Sequence, residues 1–182
     1  VKKRAGCRRG SAGALVLLLG LSLAGCFKPP APVVQATLIF SDFVGPVGDR
    51  GEVKVSVASM PGGGLAGLVV GAWDGTQFLG LQYDPTQFEI TGVEGLNGFQ
   101  ILATFIDNAS GEVRFVAVNP AGGLVEGDVA KIVGNRLGGV NFDFQVAKAN
   151  LQLVDANGAL IPDTDYIVST GKAPPYYVEG GN

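Results

Sequence analysis

Between residues 36 and 170 the apolar side chains recur at every second position, not at the 3.6-residue spacing of a helix. "EVKVSVA" sets Val53, Val55 and Val57 on one face and Glu52, Lys54 and Ser56 on the other. "NFDFQVA" alternates Phe142, Phe144 and Val146 with Asp143 and Gln145, and "FLGLQY" offers Leu79, Leu81 and Tyr83 to one side. "EVRFVAV" begins the same way with Val113 and Phe115. With "TLIF", "FEITGV", "FQILATFI" and "LQLV" the pattern predicts about eight or nine strands. The punctuation is turn chemistry: Asp84-Pro85, "DNASG", "NPAGG" and "DANG" combine preset φ, positive φ and side chains that bond to their own backbone. Many short strands divided in this way predict an all-β domain, a β-sandwich or jelly roll. "VEGDVAKIVGNRL" breaks the alternation, because Val129, Ile132 and Val133 stand at helical spacing. It reads as a short helix or an irregular insertion bounded by Gly127 and Gly134.

The first 25 residues follow a different logic. Lys2, Lys3, Arg4, Arg8 and Arg9 precede an apolar run from Ala12 to Leu23, which is shorter than the roughly 20 residues a membrane span needs. "Leu23-Ala24-Gly25-Cys26" resembles a lipobox, the signal of bacterial lipoproteins. The resemblance implies cleavage between Gly25 and Cys26, a diacylated Cys26 thiol, and a protein held to a membrane of the cell envelope, outside the cytoplasm. The organisation expected is a lipoprotein signal peptide over 1–25, a Pro-rich spacer over 26–35, one folded domain over 36–170 and a tail over 171–182 that contains Tyr176 and Tyr177.

Charge and chemistry narrow the function. Of 13 Lys and Arg, five lie in the leader, so the rest of the chain carries eight against 16 Asp and Glu, a balance of −8. Such a chain, without a basic patch, is not built for nucleic acid, and membrane attachment falls to the lipid. The chain has no histidine, and its two cysteines are Cys7 in the leader and Cys26, so the domain has neither a thiol nor an imidazole to work with. No Ser sits in a G-x-S-x-G elbow, and "PGGGLAG" lacks the Lys and Ser/Thr of a phosphate loop. The acid pairs Asp163/Asp165 and Glu126/Asp128 read as solvated surface acids, since "DTDY" supplies too few oxygen ligands in order for calcium. Trp73, the one tryptophan, either packs in the core or stands beside an Asp74-Gly75 hairpin turn as a ring for stacking on sugar. No catalytic set, metal or cofactor is expected.

Leu65-Ala66-Gly67, then an alternating strand ending in Tyr83-Asp84-Pro85, then Phe88-Glu89-Ile90 and a Gly-containing turn form a pattern that resembles a cohesin module. "DNASGEVRFVAV" is similar to the family's next hairpin and "VDANGALI" to its closing strand. The resemblance implies a jelly-roll domain of the carbohydrate-binding-module superfold that grips the calcium-loaded dockerins of partner proteins, without catalysis. The sequence departs from the pattern twice: "LVVGAWDGTQ" adds a hairpin arm, and "EGDVAKIVGNRLGG" lengthens a loop. The expected function is a lipid-anchored binding or scaffolding module, with a carbohydrate-binding lipoprotein that uses Trp73, or a structural envelope protein, as alternatives. If Cys26 carries the anchor, Cys26→Ala yields a precursor left uncut behind Gly25. Mass spectrometry of the native protein that finds an unmodified N-terminus elsewhere contradicts this.

Overall fold

The structure is a computed structural model and describes residues 36–41, 47–60, 62–138 and 144–170. Gly25, Cys26, the spacer, the tail, Phe142 and Asp143 lie outside the described residues. Among the described residues, eleven strands form two sheets. The first sheet runs in the order β11 (Tyr166–Thr170), β1 (Ala36–Phe40), β2 (Arg50–Ala58), β8 (Gly127–Arg136) and β5 (Phe88–Gly95). The second contains β10 (Leu160–Ile161), β9 (Leu151–Asp155), β3 (Leu65–Val70), β7 (Glu112–Val118), β4 (Leu81–Gln82) and β6 (Gln100–Asp107). All pairings are antiparallel except β1 with β11. Apart from two single 3-10 turns, Lys148–Asn150 and Asp163–Asp165, no helix occurs among the described residues. The count exceeds the expected eight or nine because β3, β8 and β11 lie outside the segments with strict alternation, while "FLGLQY" supplies only the two-residue β4.

Alternation decides which face of each strand is buried. In β2, Val53, Val55 and Val57 are buried and face Ile132, Ala130 and, across β1, Leu38 and Phe40. In β7, Val113, Phe115 and Ala117 point the same way from the second sheet, beside Leu68, Val70 and Leu81. These side chains form one core cluster between the sheets. Full burial of each Val, Leu or Phe contributes about 1.5–3 kcal/mol.

The reading of "VEGDVAKIVGNRL" as a helix or insertion is corrected: it is β8, paired with β2 on one side and β5 on the other. Its helical spacing comes from a β-bulge. Val55 pairs with Ala130 and Ser56 with Asp128, so Val129 is an extra residue that turns inward and shifts the phase. Ile132 is inward by the regular alternation, while Val133 is covered on the outer face and is no part of the core cluster. The second expected departure from the cohesin pattern is therefore a strand, not a lengthened loop. "VDANGALI" is also corrected: it makes the β9–β10 hairpin, and the strand that closes the first sheet is Tyr166–Thr170, parallel to β1. From "NFDFQVA", Phe144 and Val146 are buried and Gln145 is exposed, as the alternation predicts, with one isolated bridge from Gln145 to Gln82.

Four aspartates hold turns by accepting backbone N–H bonds: Asp74 from Thr76 and Gln77, Asp84 from Thr86, Asp107 from Ala109 and Ser110, and Asp155 from Asn157 and Ala159. Hydrogen bonds to the ionised form lower each carboxyl below its ordinary value, for Asp74 to about 2, through the N–H groups of Gln77 and Thr76. Next to Asp84, the Tyr83 hydroxyl donates to Asn108 Oδ1, and Asn108 in turn accepts from Ile90 N at 2.8 Å and donates to Ile90 O at 3.0 Å. The Tyr-Asp-Pro stretch is thus a latch that ties the end of β4 to β5 and to the β6–β7 turn.

Two outcomes test this account. Phe144 is buried edge-on to Tyr83, with ring centroids 6.4 Å apart, so Phe144→Ala costs about 3–5 kcal/mol in urea unfolding while Gln145→Ala stays within about 0.5 kcal/mol. Equal costs contradict the phase of this segment. The second concerns pH. A carboxyl whose folded value is depressed contributes stability that is complete above its unfolded value and is lost as pH falls through the folded one. The gap in stability between the native chain and Asp74→Ala therefore holds from neutrality to about pH 4 and narrows from there toward about pH 2. A gap unchanged down to pH 2 contradicts the turn assignment.

Candidate functional site

Each sheet has an outer face, and the two differ in kind. On the outer face of the first sheet, opposite charges meet across the strands, although Lys54 stands directly opposite Lys131. Lys131 lies 2.9 Å from Glu94 and 3.9 Å from Glu52, Arg50 lies 3.7 Å from Glu94, and Lys54 lies 3.2 Å from Asp128. Ser56 donates to Asp128 at 2.6 Å and Asn135 to Glu89 at 3.0 Å. A shallow depression of about 670 Å³ runs over this face, lined by Arg50, Glu52, Lys54, Lys131 and Val133. Its charges are already matched to each other across the strands.

The outer face of the second sheet is apolar. Register puts Leu160, Val154, Gly67, Val118 and Gln100 in one row across β10, β9, β3, β7 and β6. The next row is Gln152, Val69, Val116 and Ala103, and beyond it Arg114 faces Phe105. A depression of about 270 Å³ opens among Val69, Gly71, Ala103, Phe105, Arg114 and Val116. Of the eight large hydrophobic residues that stand exposed among the described residues, Trp73, Phe78, Leu102, Phe105 and Leu160 belong to this sheet or its arm, and none lies in a strand of the first sheet. Leu102 is the extra residue of a bulge in β6 and is 64% exposed. The Arg114 guanidinium lies 4.0 Å from the centre of the Phe105 ring and 3.4 Å from Glu112.

The predicted hairpin arm is present, and its place is specific. β6 flanks β7 along its whole length, so β3 and β4 lie in line on the other side of β7. Val70 opposes Phe115 and Leu81 opposes Val113, so residues 71–80 leave the sheet where a single residue would oppose Arg114. Both necks are glycine because Arg114 crosses them. A Cβ at Gly71, whose φ is +94°, would stand 2.4 Å from Arg114 Cγ, and one at Gly80 would stand 2.2 Å from Val113 O. Asn150, 1% exposed, pins the arm: its O accepts from Gly71 N and Ala72 N, and its Nδ2 donates to Ala72 O at 2.9 Å and Gln77 O at 3.4 Å. Gly80 N donates to Glu112 at 2.7 Å.

Trp73 is therefore not a core residue. It pairs with Phe78 across the arm, and the rings are 51% and 55% exposed with centroids 5.0 Å apart and planes at 51°. Two rings at that angle form a corner, not a flat platform. Glu126, Asp163 and Asp165 are exposed, Asp128 belongs to the ion pairs of the first sheet, and no metal-ligand cluster occurs among the described residues. The apolar outer face itself is absent from the expectations drawn from sequence. Its signal was the end of "EVRFVAV", where Val116 follows Phe115 and makes both faces of β7 apolar, and the same doubling in "GLVV" and "LQLV".

No family model matches the sequence, and no curated protein sequence matches it. Solved structures do. A type II cohesin from Acetivibrio cellulolyticus, solved in a cohesin–X-dockerin complex, aligns at TM-score 0.57 and 14% identity over 76% of this chain and 97% of that one. A type II cohesin dyad from the ScaA scaffoldin of the same organism aligns at TM-score 0.58 and 13% identity, over 80% of this chain and 51% of the dyad chain. A type I cohesin from Clostridium thermocellum, solved in a cohesin–dockerin complex, aligns at TM-score 0.52 and 14% identity over 75% of this chain and 99% of that one. At these identities the likeness is one of backbone, and it covers 75–80% of this chain. The domain has the cohesin fold, a β-sandwich of jelly-roll type.

Proposed function

We propose that this chain is a non-catalytic protein-binding module of the cohesin type, which docks a dockerin-like partner on the outer face of its second sheet. The observation that carries the reading is a contiguous apolar outer face on a cohesin fold whose opposite face is closed by ion pairs. Structural neighbours solved in complexes with dockerins support the class of partner. The chain's lack of histidine, and of cysteine beyond Gly25-Cys26, supports binding over catalysis. Lipid on Cys26 would hold the module at the cell envelope, and the Pro-rich spacer at 26–35 would lift it from the membrane.

The test uses the full chain immobilised against the calcium-containing secretome of the source organism, with elution by chelator. Val116 lies on the outer face between Val69 and Ala103, so Val116→Asp places a carboxylate in the docking surface without touching the core. It weakens capture of the chelator-eluted partner roughly 100-fold, about 2.7 kcal/mol, while Lys54→Ala on the opposite face leaves it unchanged. Circular dichroism verifies that both variants keep the native fold. Capture that is indifferent to Val116→Asp, or that survives chelation, overturns the reading.

A further inference from the structure

We propose that the arm over residues 71–80 is a second contact element that receives a cationic side chain, so that the partner carries an apolar contact surface bordered by Lys or Arg. The inference rests on the docking-face reading and names the chemistry of the partner for that face. Three observations carry it.

The first is that the arm is held before any partner arrives. Asn150 binds both of its strands, Asp74 closes its turn, and Gly80 is tied to Glu112. Two large rings, Trp73 and Phe78, stay exposed on this fixed support, and Gly71 at its neck lines the apolar depression. An ordered aromatic pair needs little further ordering on binding, so its contact area converts to affinity with a smaller entropic loss.

Charge is the second. In the strands and arm of the second sheet stand Asp74, Asp107, Glu112 and Asp155, against Arg114 alone, and Arg114 lies against Glu112. Turn hydrogen bonds keep Asp74, Asp84, Asp107 and Asp155 ionised below the usual carboxylate range. The first sheet, in contrast, matches Arg50, Lys54 and Lys131 with acids of its own. The apolar face is thus bordered by a surplus of fixed negative charge, which a cationic border complements.

The third is local chemistry. Aromatic faces beside a carboxylate attract a guanidinium or ammonium. The molecule already uses cation–ring contacts elsewhere, where Arg114 lies over Phe105 and Lys148 Nζ lies 4.6 Å from the centre of the Tyr166 ring. Trp73, Phe78 and Asp74 offer the same combination on the arm, open to solvent.

The sole tryptophan makes the test direct, because Trp73 emission reports the arm alone. The full chain is titrated with two amphipathic helical peptides that share one leucine face, one bordered by Arg and Lys and the other by Glu. The cationic peptide shifts Trp73 emission and binds at least tenfold more tightly than the anionic one, with affinity that falls as salt rises. Phe78→Ala, and Asp74→Asn (which keeps the turn acceptor), each weaken it about tenfold, while Glu94→Gln on the opposite face does not. Val116→Asp weakens it as well. Equal binding of both peptides, binding that leaves Trp73 emission unmoved, or no binding of the cationic peptide overturns the proposal. If Val116→Asp abolishes binding and the arm variants do not, the arm inference fails and the docking face stands. If the arm variants matter and Val116→Asp does not, the docking-face reading fails, and with it a partner that spans face and arm.

Discussion

Both sheets bury one face against the other, and the strand register that achieves this fixes which side chains are left outside. No helix among the described residues covers either outer face, so each must meet solvent or a partner with the residues the register leaves it. The first sheet solves the problem with Lys131 between Glu52 and Glu94 and with Lys54 beside Asp128. The second leaves Val69, Val116 and Ala103 in one row, with Leu160, Val154 and Val118 in the row beside it. Exposed single hydrophobics are ordinary, but adjoining apolar rows that together reach across five strands are not. The contrast between the faces follows from sequence at the outward positions and needs no movement of the backbone.

The strands were legible where alternation is strict. Val53, Val55 and Val57 in β2 and Val113 and Phe115 in β7 announce both the element and its buried face. β8 was not, and for a definite reason. The bulge at Val129 adds one residue, so a period of two is read as a spacing of three and four, and local pattern cannot tell that phase shift from a helical turn. The bulge at Thr91 in β5, where Ile90 pairs with Gly134 and Gly92 with Val133, has the same effect on the other side of β8. The closing strand is not legible in the sequence because Tyr166–Thr170 is short, and its partner β1 is more than a hundred residues away. The apolar outer face is hidden for a related reason. Apolar doubling in "GLVV", "EVRFVAV" and "LQLV" is visible strand by strand, but it becomes a surface only once β3 is known to lie between β7 and β9. Trp73 is the opposite case: the turn beside it was readable from Asp74-Gly75, and its exposure follows from sitting on that arm.

The arm shows how a sandwich of this kind accepts an insertion without loss of register. β3 and β4 behave as one strand interrupted at a single position, since the pairing with β7 resumes at Leu81 opposite Val113. Closing a ten-residue excursion costs only a slowly growing entropic term, so the sheet survives if the two necks can pass the neighbouring strand. That condition falls on Gly71 and Gly80, where any Cβ collides with Arg114 or the Val113 carbonyl. Once past the necks, the arm's backbone groups need partners near the protein surface, and Asn150 supplies them from the residue that leads into β9. The same Arg114 that forbids side chains at the necks lies against Phe105 and Glu112, so the arm, the apolar depression and the acidic border share one residue. A change at position 114 is therefore felt in all three, and the arm is part of the second sheet's outer surface, not a loop appended to it.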